Sequence, residues 1–144
     1  MRDGTMKMRL KNQSGAAVVE FAVVLPVLVL LIFGIVEFSL ALYDKAVITN
    51  ASREGARAGI VAQNPRVDDG TIKDIVAKYC KDHLITFGAP NDPITDPITR
   101  TGDSFGDDLT VSVTYKYGFL VLPNFITSIT GPITLNATTV MRME

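Results

Sequence analysis

A chain of 144 residues, 47% hydrophobic and 20% charged, with a formal net charge of −1, holds one compact domain or a smaller one carrying an appendage. The balance of 14 Lys and Arg against 15 Asp and Glu leaves neither a basic footprint for nucleic acid nor an acidic tail. One Cys and one His exclude an intramolecular disulfide and a Cys/His zinc site. The averages conceal an asymmetry. Between Ala16 and Val36 lie 21 residues of which Glu20 alone is charged, whereas the chain beyond residue 62 is polar and ordinary.

Twenty-one helical residues rise ~32 Å, enough to cross a hydrocarbon core of ~30 Å. A secretory signal has a shorter apolar region ending in a small-residue cleavage site. Here the apolar pattern continues through Phe38, Leu40 and Leu42, so a retained helix is expected, spanning the membrane over about residues 16–42. Arg2, Lys7, Arg9 and Lys11 precede it against Asp3 alone, and mixed charges follow it: Glu37, Asp44, Lys45, Arg53, Glu54 and Arg57. The bias in Lys and Arg places the N-terminus in the cytoplasm and the remainder outside. Phe38 and Tyr43 are placed to anchor the outer interface. Pro26 removes a backbone hydrogen bond and predicts a kink that membrane helices tolerate. Glu20 costs about 2.5–3.5 kcal/mol near a bilayer centre and less near an edge, so it either snorkels to water or has a partner.

The junction reads Lys11-Asn-Gln-Ser-Gly15, then Ala16-Ala-Val-Val-Glu20-Phe21. A basic leader ending in Gly, then an apolar run with Glu at its fifth position and an aromatic at its sixth, resembles the prepilin signal of type IV pilins and pseudopilins. The resemblance implies that a membrane-embedded prepilin peptidase cuts between Gly15 and Ala16, removing residues 1–15. Physically, Gly15 lets extended backbone approach a protease closely. Cleavage frees an α-amine at Ala16, cationic below a pKa of about 8. In a bundle of parallel helices, Glu20 of one subunit meets that amine on another, which fixes register more than it stabilises.

After the span comes Asn50-Ala-Ser-Arg-Glu-Gly-Ala-Arg-Ala-Gly59. This segment is similar to the one that characterises TadE-like proteins, minor pseudopilins of the tight-adherence (Tad, or Flp) pilus. The resemblance covers about residues 7–62, and the related TadF-like proteins rank second. Apart from the family, Ala51, Gly55 and Gly59 recur every four residues and give one helix face almost no side chain, so another backbone can approach. That backbone belongs either to the chain's own head or to another subunit. Arg53 and Arg57 occupy a neighbouring face, with Glu54 three residues before Arg57 and placed to pair with it. A helix from Ala16 to Ala62 runs about 70 Å, the shape of a pilin spine.

From Asp69, Ile72, Ile75, Val76, Tyr79, Cys80 and Leu84 fall at amphipathic-helix spacing, with Asp68 and Asp69 at the start and Gly88 past the end. Cys80 shares the apolar face and reads as a small buried hydrophobe; an intermolecular disulfide is the alternative. His83, beside Asp82, reads as a solvated position. Residues 89–108, with Pro90, Pro93, Pro97, Gly102, Gly106 and the tandem Asp92-Pro-Ile-Thr and Asp96-Pro-Ile-Thr, read as loop. Asp103, Asp107 and Asp108 lack the spacing and terminal Glu of an EF-hand. Leu109, Val111, Val113, Tyr115, Tyr117 and Phe119 alternate with polar residues as far as Gly118, a half-buried strand, and Ile133, Leu135, Ala137 and Met141 mark another. Between them, residues 120–131 read as a short helical turn or packed loop.

The expected fold is therefore α+β and pilin-like: a leader (1–15), a spine helix (16–62) with an exposed amphipathic extension, and a head (63–144) of one amphipathic helix over a small antiparallel sheet. Such a head is marginal alone and gains from packing on the spine. The sequence holds no Ser/His/Asp set, metal cluster, P-loop or dinucleotide loop, so neither enzyme activity, a cofactor nor a metal is expected. Expected partners are the inner membrane, prepilin peptidase, other Tad pilins and pseudopilins and the Tad assembly platform, with no nucleic acid. The expected location is single-pass in the inner membrane, with incorporation into an extracellular pilus. A signal-anchored extracytoplasmic binding protein unrelated to pili is the competing class. Cleavage after Gly15 removes four of the 14 basic residues and one of the 15 acids, which leaves a mature side-chain charge of −4.

Overall fold

In the computed structural model, residues 13–86, 92–119, 131 and 133–144 are described. They form two helices, α1 (Gln13–Ile60) and α2 (Asp69–His83), and three strands, β1 (Ile94–Arg100), β2 (Asp108–Tyr117) and β3 (Ile133–Arg142). The fold is α+β, a long apolar helix followed by a second helix and an antiparallel sheet in the order β1-β2-β3. Gly88, all but one residue of the 120–131 connection, and residues 1–12 of the leader lie outside the described residues.

The 48 residues of α1 rise about 72 Å, and the helix passes Pro26 without interruption. Its two halves have opposite surroundings. From Gly15 to Phe33 every side chain is exposed. From Glu37 onward one face is covered: residues 37, 41, 44, 48, 51, 55 and 59 turn inward, at gaps of three and four that keep them on one stripe.

The head packs on that stripe in one layer of helix and one of sheet. α1 lies against β2 and β3, and α2 lies beside α1 and reaches β1. Strands β2 and β3 pair without a break from Asp108↔Arg142 to Tyr117↔Ile133. Alternation sends Leu109, Val111, Val113, Tyr115 and Tyr117 to the helix side, where they join Ile48, Ala51, Ile72, Val76 and Cys80 in one core. The spine is thus part of the head's core. The sequence picture of α2 over the sheet is corrected accordingly, since α1 covers β2 and β3.

β1 is a second correction, because residues 94–100 were expected as loop. The strand is an edge, and its register shifts between Thr95 and Ile98, where Asp96-Pro97 intervenes. An edge with an irregularity is where a residue lacking an N–H fits a sheet. At the start of α2, Asp68 accepts a hydrogen bond from Gly70 N (3.0 Å), the expected N-cap. At the end of α1, Arg66 donates to the carbonyls of Ile60 (3.1 Å) and Val61 (3.4 Å) and also to Glu144 O (3.0 Å). Helix carbonyls left without intrahelical partners are satisfied in this way.

The absence of side chains at Gly55 and Gly59 sets how closely α2 approaches. A Cβ on Gly55 would stand 2.6 Å from Val76 Cγ2, and one on Gly59 would stand 2.4 Å from Leu109 Cδ2. Gly55→Leu gains about 1 kcal/mol of helix propensity but overpacks the seam by about 1–3 kcal/mol, with a larger cost for so bulky a group. Thermal unfolding of the detergent-solubilised chain should therefore show a lower midpoint for Gly55→Leu and no loss for the exposed Arg53→Leu. An unchanged midpoint for Gly55→Leu would show that the helices do not meet there.

Candidate functional site

The surface that bears on function is α1 itself, with a bare N-terminal half and a C-terminal half built into the head. Gly15 and Ala16 sit in its first turn and are exposed, and a Cβ on Gly15 would meet no atom within 4 Å. A protease that needs extended backbone must unwind that turn. A glycine costs a helix about 1 kcal/mol relative to alanine, so the turn is cheap to open there. Glu20 and Phe21 are also exposed.

Exposure of apolar side chains is continuous along this half. Val18, Val19, Phe21, Val23, Val24 and Val27 each present more than half of their surface, and the most apolar 18-residue window of the helix has no buried residue. In length and composition the helix is able to cross a membrane. A soluble monomer does not leave so large an apolar surface in water.

Of the residues singled out between 50 and 59, Ala51, Gly55 and Gly59 are buried against the chain's own head, with Ile72 and Val76 of α2 and Leu109 of β2 as neighbours. Asn50, Arg53 and Arg57 face outward. Arg57 Nη2 donates to Glu54 Oε1 at 3.0 Å. This exposed pair contributes little to stability.

Two acids that the sequence suggested only as charges beyond the span are instead buried in the seam. Glu37 is 3% exposed and accepts a hydrogen bond from the Tyr117 hydroxyl through Oε1. Burial, then this bond, push the Tyr117 phenol above its usual range. Asp44 is fully buried; its Oδ1 accepts from Ile85 N at 3.1 Å, just past the end of α2, and its Oδ2 has no hydrogen-bond partner among the described residues. Their spacing is the available signal, because residues 37 and 44 share the stripe of 48, 51 and 55. Cys80 is buried as expected, and burial raises its thiol to about 11, with the nearby Asp44 charge adding to the effect. His83 is exposed and stacks on Tyr79 at 4.3 Å. Among the described residues no group of three His, Cys, Asp or Glu side chains is arranged to hold a metal ion.

These features define a class: a single long helix able to span a membrane, whose C-terminal half forms part of the core of a small α+β head. Residues 15–57, less than a third of the chain, match the family model described as TadE-like protein. The matched residues contain the bare half of α1 and the seam as far as Gly55. No curated protein and no solved structure gives a significant match.

Asp44 yields a pH prediction. Desolvation raises its carboxyl above 3.8, and the Ile85 N–H only partly opposes this. A raised folded-state value means that the neutral form fits the seam better. Stability from this group is therefore lost as pH climbs from the unfolded carboxylate range through the raised value. Asp44→Asn keeps an acceptor for Ile85 and has no charge to bury. Its stability relative to the native chain should rise between acid and neutral pH and stay level below about pH 3, measured by denaturant unfolding at each pH. A difference independent of pH would remove Asp44 as the source.

Proposed function

We propose that this protein is a minor pilin or pseudopilin of a Tad (Flp) pilus, cut by prepilin peptidase between Gly15 and Ala16 and assembled through its spine. The observation that carries this reading is the coincidence of the TadE-like segment with an exposed apolar helix, bearing one acid five residues past Gly15. In this reading residues 1–15 are a leader, the N-terminus is cytoplasmic, and the head lies outside. Residues 16–36 cross the membrane, a shorter span than the sequence alone suggested, because Glu37 is already covered by Tyr117. Partners are the peptidase, other Tad pilins and pseudopilins and the assembly platform, and the end point is a filament that serves surface attachment.

Glu20 is the residue that assembly needs most. A carboxylate in lipid is costly, and the α-amine freed at Ala16 is the complementary charge on an adjacent parallel helix. Pairing the two offsets both penalties and sets the axial stagger. Asn50, Arg53 and Arg57 remain available on the outer side of the spine for a neighbouring subunit, while Ala51, Gly55 and Gly59 hold the chain's own head.

Intact mass or terminal sequencing of protein from cells containing the cognate peptidase should give a mature chain starting at Ala16. A chain that retains Met1 in those cells would contradict processing. Glu20→Ala is expected to insert and to be cut normally but to be depleted from sheared filaments relative to the native chain. Equal recovery in filaments would remove the register role.

A further inference from the structure

The head reaches down the spine further than a membrane span leaves room for. If α1 crosses a bilayer, a hydrocarbon core of ~30 Å takes about 20 helical residues. Counted from Ala16, that length ends at about Ile35. The span has no slack on the other side: Lys11, Asn12 and Gln13 precede it before cleavage and the Ala16 α-amine begins it afterwards, and sliding it inward draws Glu20 toward the centre. Yet head side chains already lie beside this level. Phe119, two residues past β2, and Ile133, the first residue of β3, form with Gly34, Glu37, Phe38, Ala41 and Tyr117 a mostly apolar recess of about 210 Å³.

The composition of this end agrees with the geometry. Among the described residues between Lys116 and Arg142 none is charged. Along the sheet the charged pair Asp108 and Arg142 marks the far end, and Tyr117↔Ile133 marks the near one. Phe119 meets Tyr117 edge to face at 6.3 Å, and Ile133 and Phe38 are 42% and 66% exposed. The one acid in the lining, Glu37, is 3% exposed and has its Oε1 taken up by the Tyr117 hydroxyl. Outward-facing Lys116 stands one residue above Tyr117, at the height where an ammonium meets lipid phosphate.

We infer that this end of the head is itself a membrane-contacting surface: Phe119 and Ile133 sit at the outer boundary of the hydrocarbon, with lipid acyl chain filling the recess beside Gly34. The occupant is lipid because the recess is continuous with the bare apolar half of the helix, at the level where the span has to end. The head is then held by two contacts, the spine and its own rim, so it does not swing freely about the helix. The inference rests on the reading that α1 spans the membrane, and its test separates the two.

The full chain carrying a nitroxide at Ile133→Cys, reconstituted in phosphatidylethanolamine/phosphatidylglycerol vesicles, reports depth by its accessibility to oxygen and to a water-soluble nickel chelate. Buried Cys80, its thiol raised to about 11, stays silent toward the label, with the unsubstituted chain as control. Val29→Cys marks mid-span, and Phe105→Cys, 87% exposed at the far end of the head, marks water. The expected result is loss of nickel accessibility at residue 133 relative to 105, with 29 more protected still. Equal nickel accessibility at 133 and 105 with 29 protected overturns the rim contact and leaves the span intact. Accessibility at 29 overturns the span itself. Protection at 133 that appears only as the protein-to-lipid ratio rises assigns the rim to a second copy and also overturns the inference.

Discussion

Everything in this molecule depends on one helix serving two solvents. α1 exposes an apolar surface suited to lipid over its first half and joins a packed protein core over its second, without a break between Gln13 and Ile60. An amphipathic surface helix usually resolves such a conflict around its circumference; here it is resolved along the axis. Apart from Glu20, the first half is apolar all round. The second has one inward stripe, beginning at Glu37 and ending at Gly59, to which α2, β2 and β3 attach. Ile48, Ala51 and Ala56 of the spine are fully buried, so the head has no complete core without it. A domain of this size is marginal alone, and the shared helix supplies the missing layer.

The polar residues of the stripe explain how the change of solvent is managed. Near the lower end the seam contains Glu37 and Asp44; further along it becomes small and apolar. Each acid takes a donor from a different head element, Tyr117 of β2 for Glu37 and the backbone past α2 for Asp44. A buried carboxylate is weak evidence for net stability but selects one arrangement, because displacement leaves it without its donor. Ser52 does the same further up, with its hydroxyl 2.7 Å from Thr139 Oγ1 on β3. These bonds fix the height of the head on the spine, while Gly55 and Gly59 fix its distance.

Much of this plan is legible in the sequence, for identifiable reasons. The apolar run and the glycines at four-residue spacing are long-range periodic signals, and α2 carries both its period and its Asp68 cap. β2 alternates over ten residues, with its inward face buried. β1 was hidden because its short span contains Asp96-Pro97, and proline argues for loop unless the strand is known to be an edge. Glu37 and Asp44 were hidden for another reason. A carboxylate reads as exposed by default, and only the partners contributed by Tyr117 and Ile85, dozens of residues away, reverse that reading. The leader and Glu20 belong to the opposite case: their chemistry shows in the order of residues, while the partners we propose for them are other molecules.

If the bare half of α1 is the membrane span, span and head share one unbroken helix, and the seam begins where the span ends. Backbone amide exchange across residues 30–48 of the full chain in lipid nanodiscs tests this. Slow exchange is expected to continue from the span through Glu37 and Asp44 into Ile48, with no fast-exchanging interval between them. Rapid exchange over residues 37–44, between a protected span and a protected head, would mean a hinge in place of a seam and would contradict it.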